Sequence, residues 1–203
     1  MVKRWKTVAS RYSYKDKWLT VRSDAVLLPN SRILDPYHVI ESPDWVNIVA
    51  VTANKTVLLV EQYRHPIGRV QVEIPGGIVD RGELPVETAR RELLEETGYG
   101  NGYWFEVGML NSMAARFTSQ FYTFLAVDVE QLTNPKLDDS EEIAVTELSW
   151  TRFIEEMPLL DGHQVASLML VEMYAARSNN PMLSWMGLEN KHKEPLDRHR
   201  NAE

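Results

Sequence analysis

The 203-residue chain is 44% hydrophobic and 25% charged, proportions that suit one folded domain with a sizeable core. Lys and Arg number 22 against 29 Asp and Glu, and the net charge of -7 argues against a general nucleic-acid binder. There is no cysteine, which excludes disulfide and thiol chemistry, and no apolar run reaches the roughly 18 residues that a membrane span needs.

The first residues, "MVKRWKTVAS", are basic but hold no apolar stretch, so they do not read as a secretory leader and a cytoplasmic location is expected. Residues 5–41 predict a small β region. In it "WLTVRSDAVLL" alternates apolar and polar side chains, "PNSR" supplies a turn and "YHVIE" resumes the strand pattern. The short aliphatic runs "WVNIVAVT" and "TVLLVEQYR", joined by a turn at Asn54 and Lys55, predict buried strands. "VQVEIPGG" predicts another strand, ended by Pro75 and two glycines.

A helix is expected next. Pro85 suits its first turn, Val86, Ala89 and Leu93 recur at helical spacing toward the core, and Gly98 suits its C-cap. Strands resume in "YWFEVGML", "SQFYTFLAVDV" and "EIAVTELSW". Two helices follow, "TRFIEEM" with Thr151 as N-cap and one over residues 163–177. The last stretch is polar and poor in aliphatics, and reads as a mobile tail or an arm packed on something else. The expected organisation is 1–42, 43–179 and a tail at 180–203. The layout suggests α+β, or a mixed sheet with helices on its faces.

The helix breaks local rules. Glu92 faces Glu95 and Glu96 at i+3 and i+4, where like charges repel. These acids also crowd the helix C-terminus, where the macrodipole is negative and each misplaced charge costs about 0.3–1 kcal/mol. A solvated charged face is the bland reading of such a run. Several violations together point instead to function. A divalent cation would reverse the penalty, and oxygen-only donors suit Mg2+ or Mn2+ rather than zinc.

Spacing strengthens this reading. From Gly77 the chain runs G-x5-E-x7-R-E-L-L-E-E-T-G-Y, through Glu83, Arg91, Glu92, Glu95, Glu96 and Gly98. Seven fixed positions would match by chance in such a chain on the order of once in a million. The pattern resembles the signature box of the Nudix hydrolases. With "VEQYRHP" and "VEIPGG" it is similar to the ADP-ribose pyrophosphatase branch, and the resemblance covers roughly residues 10–175.

That resemblance implies an α/β class fold, an α/β/α sandwich around a mixed sheet, with a small N-terminal antiparallel β region through which members pair. It implies metal-dependent hydrolysis of the pyrophosphate bond of a nucleoside diphosphate sugar, with Mg2+, or Mn2+ in its place, and a homodimer. The same resemblance makes Glu92 and Glu96 the principal metal ligands. Glu95 is a further ligand or catalytic group, and the Gly76 carbonyl is a backbone ligand. Arg91 enters the catalytic set by holding carboxylates, together with Glu83. The general base is expected in "DDSEEIAV", where Glu141 matches best and Glu142 is second. Arg64 and Glu73 match substrate-contacting positions, and an arginine fork suits phosphate oxygens. Trp18 and Tyr37 lie near positions where relatives stack the base, although most strand aromatics are core. His65 has no second His or Cys nearby and reads as a structural or substrate-loop residue.

One departure concerns specificity. Many ADP-ribose-specific members carry a proline about sixteen residues after the box; the corresponding residue here is Ala115, in "NSMAARFTSQ". Broader action on sugar nucleotides, ADP-ribose and GDP-mannose included, is therefore expected, with Arg116 and Gln120 contributing to the pocket. The alternatives are a Nudix enzyme for another nucleoside diphosphate derivative and an inactive nucleotide-binding Nudix module. The N-terminal β region and the intact glutamates argue against both.

Overall fold

In the computed structural model residues 1–138, 142–158 and 161–186 are described. The N-terminal region is a three-stranded antiparallel sheet of β1 (Lys6–Lys15), β2 (Thr20–Leu27) and β3 (Ile33–Glu41), in that order. Asp16 makes the first turn, because its carboxylate accepts the N–H groups of Trp18 and Leu19, both at 2.7 Å. All ten residues of β1 are exposed.

A second sheet has eight strands: β4 (Trp45–Thr52), β5 (Thr56–Arg64), β6 (Arg69–Glu73), β7 (Gly76–Ile78), β8 (Tyr99–Gly100), β9 (Tyr103–Asn111), β10 (Gln120–Gln131) and β11 (Ile143–Ser149). Its central path is β11-β5-β4-β10-β8; β6 lies on β5, β7 on β4 and β9 on β10. β10 runs parallel to β4 and antiparallel to β9, so the sheet is mixed. From β4, Val46, Ile48 and Ala50 pack with Ala89 and Leu93 of helix α1 (Pro85–Thr97). Val49 and Val51 pack on the opposite side with Phe153 of α2 (Trp150–Glu156) and Leu168 and Val171 of α3 (Gly162–Arg177). Helices thus cover both faces, the expected α/β/α sandwich, and this is why the central strands read as continuous aliphatic runs. Removing a fully buried side chain such as Leu93 or Phe153 costs about 2–5 kcal/mol.

Three local expectations are corrected. "VQVEIPGG" is two strands, because Ile74 and Pro75 interrupt it between β6 and β7. Ser149, not Thr151, caps α2; its hydroxyl accepts the Arg152 N–H at 3.4 Å. A tail starting at residue 180 would cut through the core. Leu183 and Met186 are fully buried there and Trp185 packs edge-on against Trp150, apolar burial that the sparse aliphatics of this segment concealed.

Candidate active site

The box forms a turn followed by α1. Pro85 opens the helix, and Gly98 closes it with φ +77, its N–H reaching the Leu94 carbonyl at 2.9 Å. A side chain at Gly98 would meet the Thr133 carbonyl oxygen at 2.2 Å, so glycine is required twice over.

Arg91 organises the acids. Its Nε and one terminal nitrogen each reach a different Glu83 oxygen at 3.1 Å. The other terminal nitrogen donates to Glu92 at 2.9 Å and to Glu95 at 3.0 Å. Thr88 adds a hydroxyl to Glu83 at 2.7 Å. The Arg91 hydrogen bonds hold the Glu83 carboxyl below its ordinary range, and Glu83 in turn raises Arg91. One guanidinium therefore offsets the repulsion among three carboxylates.

The turn between β6 and β7 lies against the acidic face of α1. Glu96 is only 5% exposed, and its Oε2 accepts the Gly76 N–H at 3.0 Å. A side chain at Gly77 would meet the carboxylate carbon and one oxygen of Glu92, both at 2.2 Å. These contacts bring Gly76, Gly77, Glu92 and Glu96 together. No three acidic, His or Cys side chains form a closed metal cage among the described residues. Mg2+ does not need a closed cage of side chains, because waters and substrate phosphates complete its octahedron. Hard oxygen donors on one face, beside a backbone that only glycine lets approach, fit a divalent cation of that kind.

Arg64 ends β5 and is clamped by Glu73 through two parallel bonds of 2.7 and 2.5 Å. Glu73 is 2% exposed and also accepts from Gln71 at 2.8 Å and Gln164 at 3.1 Å. Burial pushes its carboxyl up, but the bonds from Arg64 and Gln71 outweigh burial and the net shift is downward. Glu73 thus sits beneath Arg64, which it aims. Hydrogen bonding to Glu73 raises Arg64, and the charges of Glu96 and Asp161 add to this, which links Arg64 to the acidic helix.

Two cavities adjoin. One, of about 390 Å³, is lined by Trp45, Arg64, Gln71, Asp161 and His163 among others. The other, of about 410 Å³, is lined by Trp18, Trp45, Phe117, Phe121, Ser119 and His163 among others. Trp45 also borders Gly76, where an added Cβ would lie 3.3 Å from its Nε1, so the cavities neighbour the acidic face of α1.

Trp18, at the tip of the β1–β2 hairpin, is 82% exposed yet lines the aromatic cavity. Tyr37 and Arg116 gather apart from it: the Tyr37 hydroxyl donates to the Ala115 carbonyl at 2.6 Å, and Arg116 lies 5.3 Å over the Tyr37 ring. The Gln120 amide reaches Asn111 at 3.3 Å. Neither Tyr37, Arg116 nor Gln120 lines the two cavities. His65 packs edge-on to Tyr63 in a short 3-10 turn. Glu142 is exposed just before β11, whose Ile143 pairs with Gln62, so it lies toward the Arg64 end of β5. Glu141 lies outside the described residues.

Sequence reasoning passed over Asn47, Gln71, Asp161, His163 and Gln164. Two of these left a signal: Asn47 interrupts an aliphatic strand, and Gln164, like its neighbour Ser167, occupies a buried position of α3. Among the described residues no helix is long and apolar enough to cross a membrane.

The acidic face of α1, the Arg64–Glu73 pair and the mixed sheet have the chemistry that a metal-assisted phosphohydrolase needs. A NUDIX domain model matches residues 43–170, and a nucleoside diphosphate sugar hydrolase N-terminal domain model matches residues 5–40. The chain belongs to the Nudix family, as a hydrolase. It is 29% identical over 181 residues to the ADP-ribose pyrophosphatase of Bacillus subtilis (strain 168), covering 84% of this chain and 94% of that one. It is 28% identical over 181 residues to the methanol dehydrogenase activator of Bacillus methanolicus, with the same coverage of 84% and 94%. An ADP-ribose pyrophosphatase of Mycobacterium tuberculosis is 28% identical over 176 residues, 86% of this chain and 84% of that one. The crystal structure of an ADP compounds hydrolase superposes with a TM-score of 0.76 at 20% identity, covering 87% and 96% of the two chains, a likeness of fold.

Proposed function

We propose that this hydrolase cleaves the pyrophosphate bond of nucleoside diphosphate sugars, ADP-ribose among them and GDP-mannose as a further candidate, giving a nucleoside monophosphate and a sugar phosphate. The observation that carries this reading is the Arg64–Glu73 pair, whose arginine lines the polar cavity and feels the charge of Glu96 on α1. Arg64 would bind phosphate oxygens, and Glu73 stops its fork from turning away. Glu92, Glu95, Glu96 and the Gly76 carbonyl would hold Mg2+, or Mn2+ in its place, which when bound neutralises phosphate charge and acidifies water.

Arg91 holds Glu92 and Glu95 in place through its hydrogen bonds. The proton of the attacking water would go to Glu142 or Glu141, which precede β11 in the sequence, or to Glu95. The aromatic cavity suits a base stacked near Trp18. Tyr37, Arg116 and Gln120 would then act on bound substrate only after a rearrangement or from a second copy of the chain.

A homodimer is part of the reading. Val8, Tyr12 and Tyr14 of β1, Trp5 before it and Trp18 in the turn after it are about half to four-fifths exposed, apolar surface that a second copy would cover. The 1–42 region is accordingly read as the pairing unit of the hydrolase domain that starts at residue 43, whose core includes Leu183 and Met186. Light scattering that gives a stable monomer at micromolar concentration sinks the dimer.

The activity test is product identification across ADP-ribose, GDP-mannose and other sugar nucleotides with Mg2+ or Mn2+. AMP and ribose 5-phosphate from ADP-ribose are expected. Exclusive action on dinucleoside polyphosphates, or binding without turnover at saturating metal, overturns the reading.

A further inference from the structure

His163 stands where the cavities meet. It lines the polar cavity with Arg64 and Asp161, the aromatic cavity with Trp18 and Trp45, and a third with Leu110 and Ala166. It occupies the first turn of α3, half-buried, with its ring 5.9 Å from that of Phe121.

The hydrogen-bond network fixes which ring nitrogen carries the proton. Trp45 Nε1 can only donate, and it meets Asn47 Oδ1 at 3.0 Å. The Asn47 amide nitrogen must then point the other way, where it donates to Ser167 Oγ at 2.9 Å and faces His163 Nδ1 at 3.2 Å. Asn47 is 1% exposed, and turning its amide over would set the Trp45 N–H against an NH2 donor. A donor facing Nδ1 makes Nδ1 the acceptor, so the proton resides on Nε2. Protonating Nδ1 as well would set two donors against each other, and burial independently pushes this histidine down, toward the neutral form.

The group that Nε2 faces is also prepared. Asp161 is the N-cap residue of α3, a place where Asp normally accepts from the helix, yet it makes no side-chain cap. Its Oδ2 instead accepts from Gln71 Nε2 at 2.9 Å, and the same amide nitrogen holds Glu73 at 2.8 Å. Asp161 is thereby tied to the pair that aims Arg64. His163 Nε2 and Asp161 Oδ2 lie 3.9 Å apart, too far for a hydrogen bond of their own. A single oxygen can sit within bonding distance of both.

We propose that His163 and Asp161 form a hydroxyl-reading pair, with Nε2–H donating to a sugar hydroxyl of the substrate and Asp161 accepting the proton of that hydroxyl. A hydroxyl both accepts and donates, so it satisfies both groups. A phosphate oxygen would meet the carboxylate with like charge, and an apolar group would leave both unpaired. The pair is a specificity device resting on the nucleoside diphosphate sugar reading above, and it acts beside the metal ligands and the base.

The test compares kcat and KM for ADP-ribose and for the methyl ester of ADP, which keeps the pyrophosphate and the adenosine but lacks the second sugar. His163→Leu is expected to lower kcat/KM for ADP-ribose about tenfold. His163→Gln, which can place an amide N–H where Nε2 stood, should restore most of it. A loss confined to ADP-ribose assigns the pair to the distal sugar. Loss on both compounds with rescue by Gln assigns it to the ribose of the nucleoside. Loss on both without rescue, or no loss, overturns the proposal. If the wild-type chain hydrolyses neither compound with Mg2+ or Mn2+, the proposed function fails too; if it hydrolyses them but the variants behave as in the overturning cases, only the His163 assignment fails. Ring nitrogen NMR on 15N-histidine-labelled wild-type protein, assigned with the Gln variant, gives a readout independent of activity. A neutral Nε2–H tautomer at pH 7 is expected, and an Nδ1–H tautomer or a charged ring refutes it.

Discussion

Gly77→Ala isolates the carboxylate geometry from the fold. A methyl group at this position would lie 2.2 Å from the Glu92 carboxylate carbon and from one of its oxygens. Ordinary contact between such atoms is about 3.5 Å, so the Glu92 carboxylate must move by somewhat more than about 1 Å. Gly77 is free of the left-handed backbone strain seen at Gly98, and the atoms in the way end a flexible side chain, so the backbone has no reason to shift. The melting temperature should therefore fall by no more than about 2–4 °C, equivalent to 1 kcal/mol in a domain of this size. Activity is another matter. Misplacing a positioned group by about 1 Å costs about 100-fold. Steady-state hydrolysis of ADP-ribose over a Mg2+ titration, with thermal unfolding in parallel, should show a rise in the metal concentration needed and a fall in kcat/KM of that order. Wild-type kinetics, or an activity loss that merely follows unfolding, would refute the proposed closeness of Gly77 and a working Glu92.

Gly76→Ala should behave differently, since its methyl group would meet the Val46 carbonyl oxygen of β4 at 2.2 Å; unfolding midpoints should show a fold damaged by about 2–3 kcal/mol. Glu96→Gln should remove most turnover while circular dichroism stays native, and full activity with Mg2+ would refute the ligand assignment. Arg91→Lys cannot reproduce a fork that contacts Glu83, Glu92 and Glu95 together, so weaker metal binding is expected at unaltered Arg64 geometry, read by the Mn2+ paramagnetic signal. Glu73 predicts a pH effect of definite sign. Its folded carboxyl lies below the ordinary 4.5, so the ionised form stabilises the fold; that contribution is complete above about pH 4.5 and is lost as pH falls through the depressed value. Glu73→Gln should cost about 3 kcal/mol at pH 7, and denaturant titrations should show the gap from wild type narrowing below pH 4.5.

The fold was legible where the pattern had one cause. Aliphatic runs in β4, β5 and β10 reflect burial on both faces, and the spacing of Ala89 and Leu93 reflects one buried helix face. It was less legible where two causes competed. The apolar character of "VQVEIPGG" hid the break at Ile74 and Pro75. Ser149 precedes Thr151 by two residues, both suit a cap, and only the path of the chain selects one. The terminal segment had too few aliphatics to announce itself, yet Leu183, Trp185 and Met186 suffice to anchor it.

Legibility of the site followed the same division. Acids that oppose their own helix are visible in sequence, because the violation is local: a repulsion at i+3 and i+4 and a charge at the negative end of a dipole. What relieves it is only partly local. Arg91 lies on the same helix, but Glu83 must fold back from the preceding turn, and the Gly76 amide must arrive from a strand edge twenty residues earlier in the chain. The second polar layer, from Arg64 and Glu73 through Gln71 to Asp161 and from Trp45 through Asn47 to His163, joins β4, β5, β6 and α3, and no short stretch contains it. Its members look like isolated polar residues misplaced in apolar elements. Their cost in the core is offset by the bonds that each makes to a neighbour from another element, since an unpaired polar group in the core is costly. The two chains of bonds end side by side, at Asp161 and at His163 3.9 Å away, which sets the groups suited to phosphate next to those suited to a sugar.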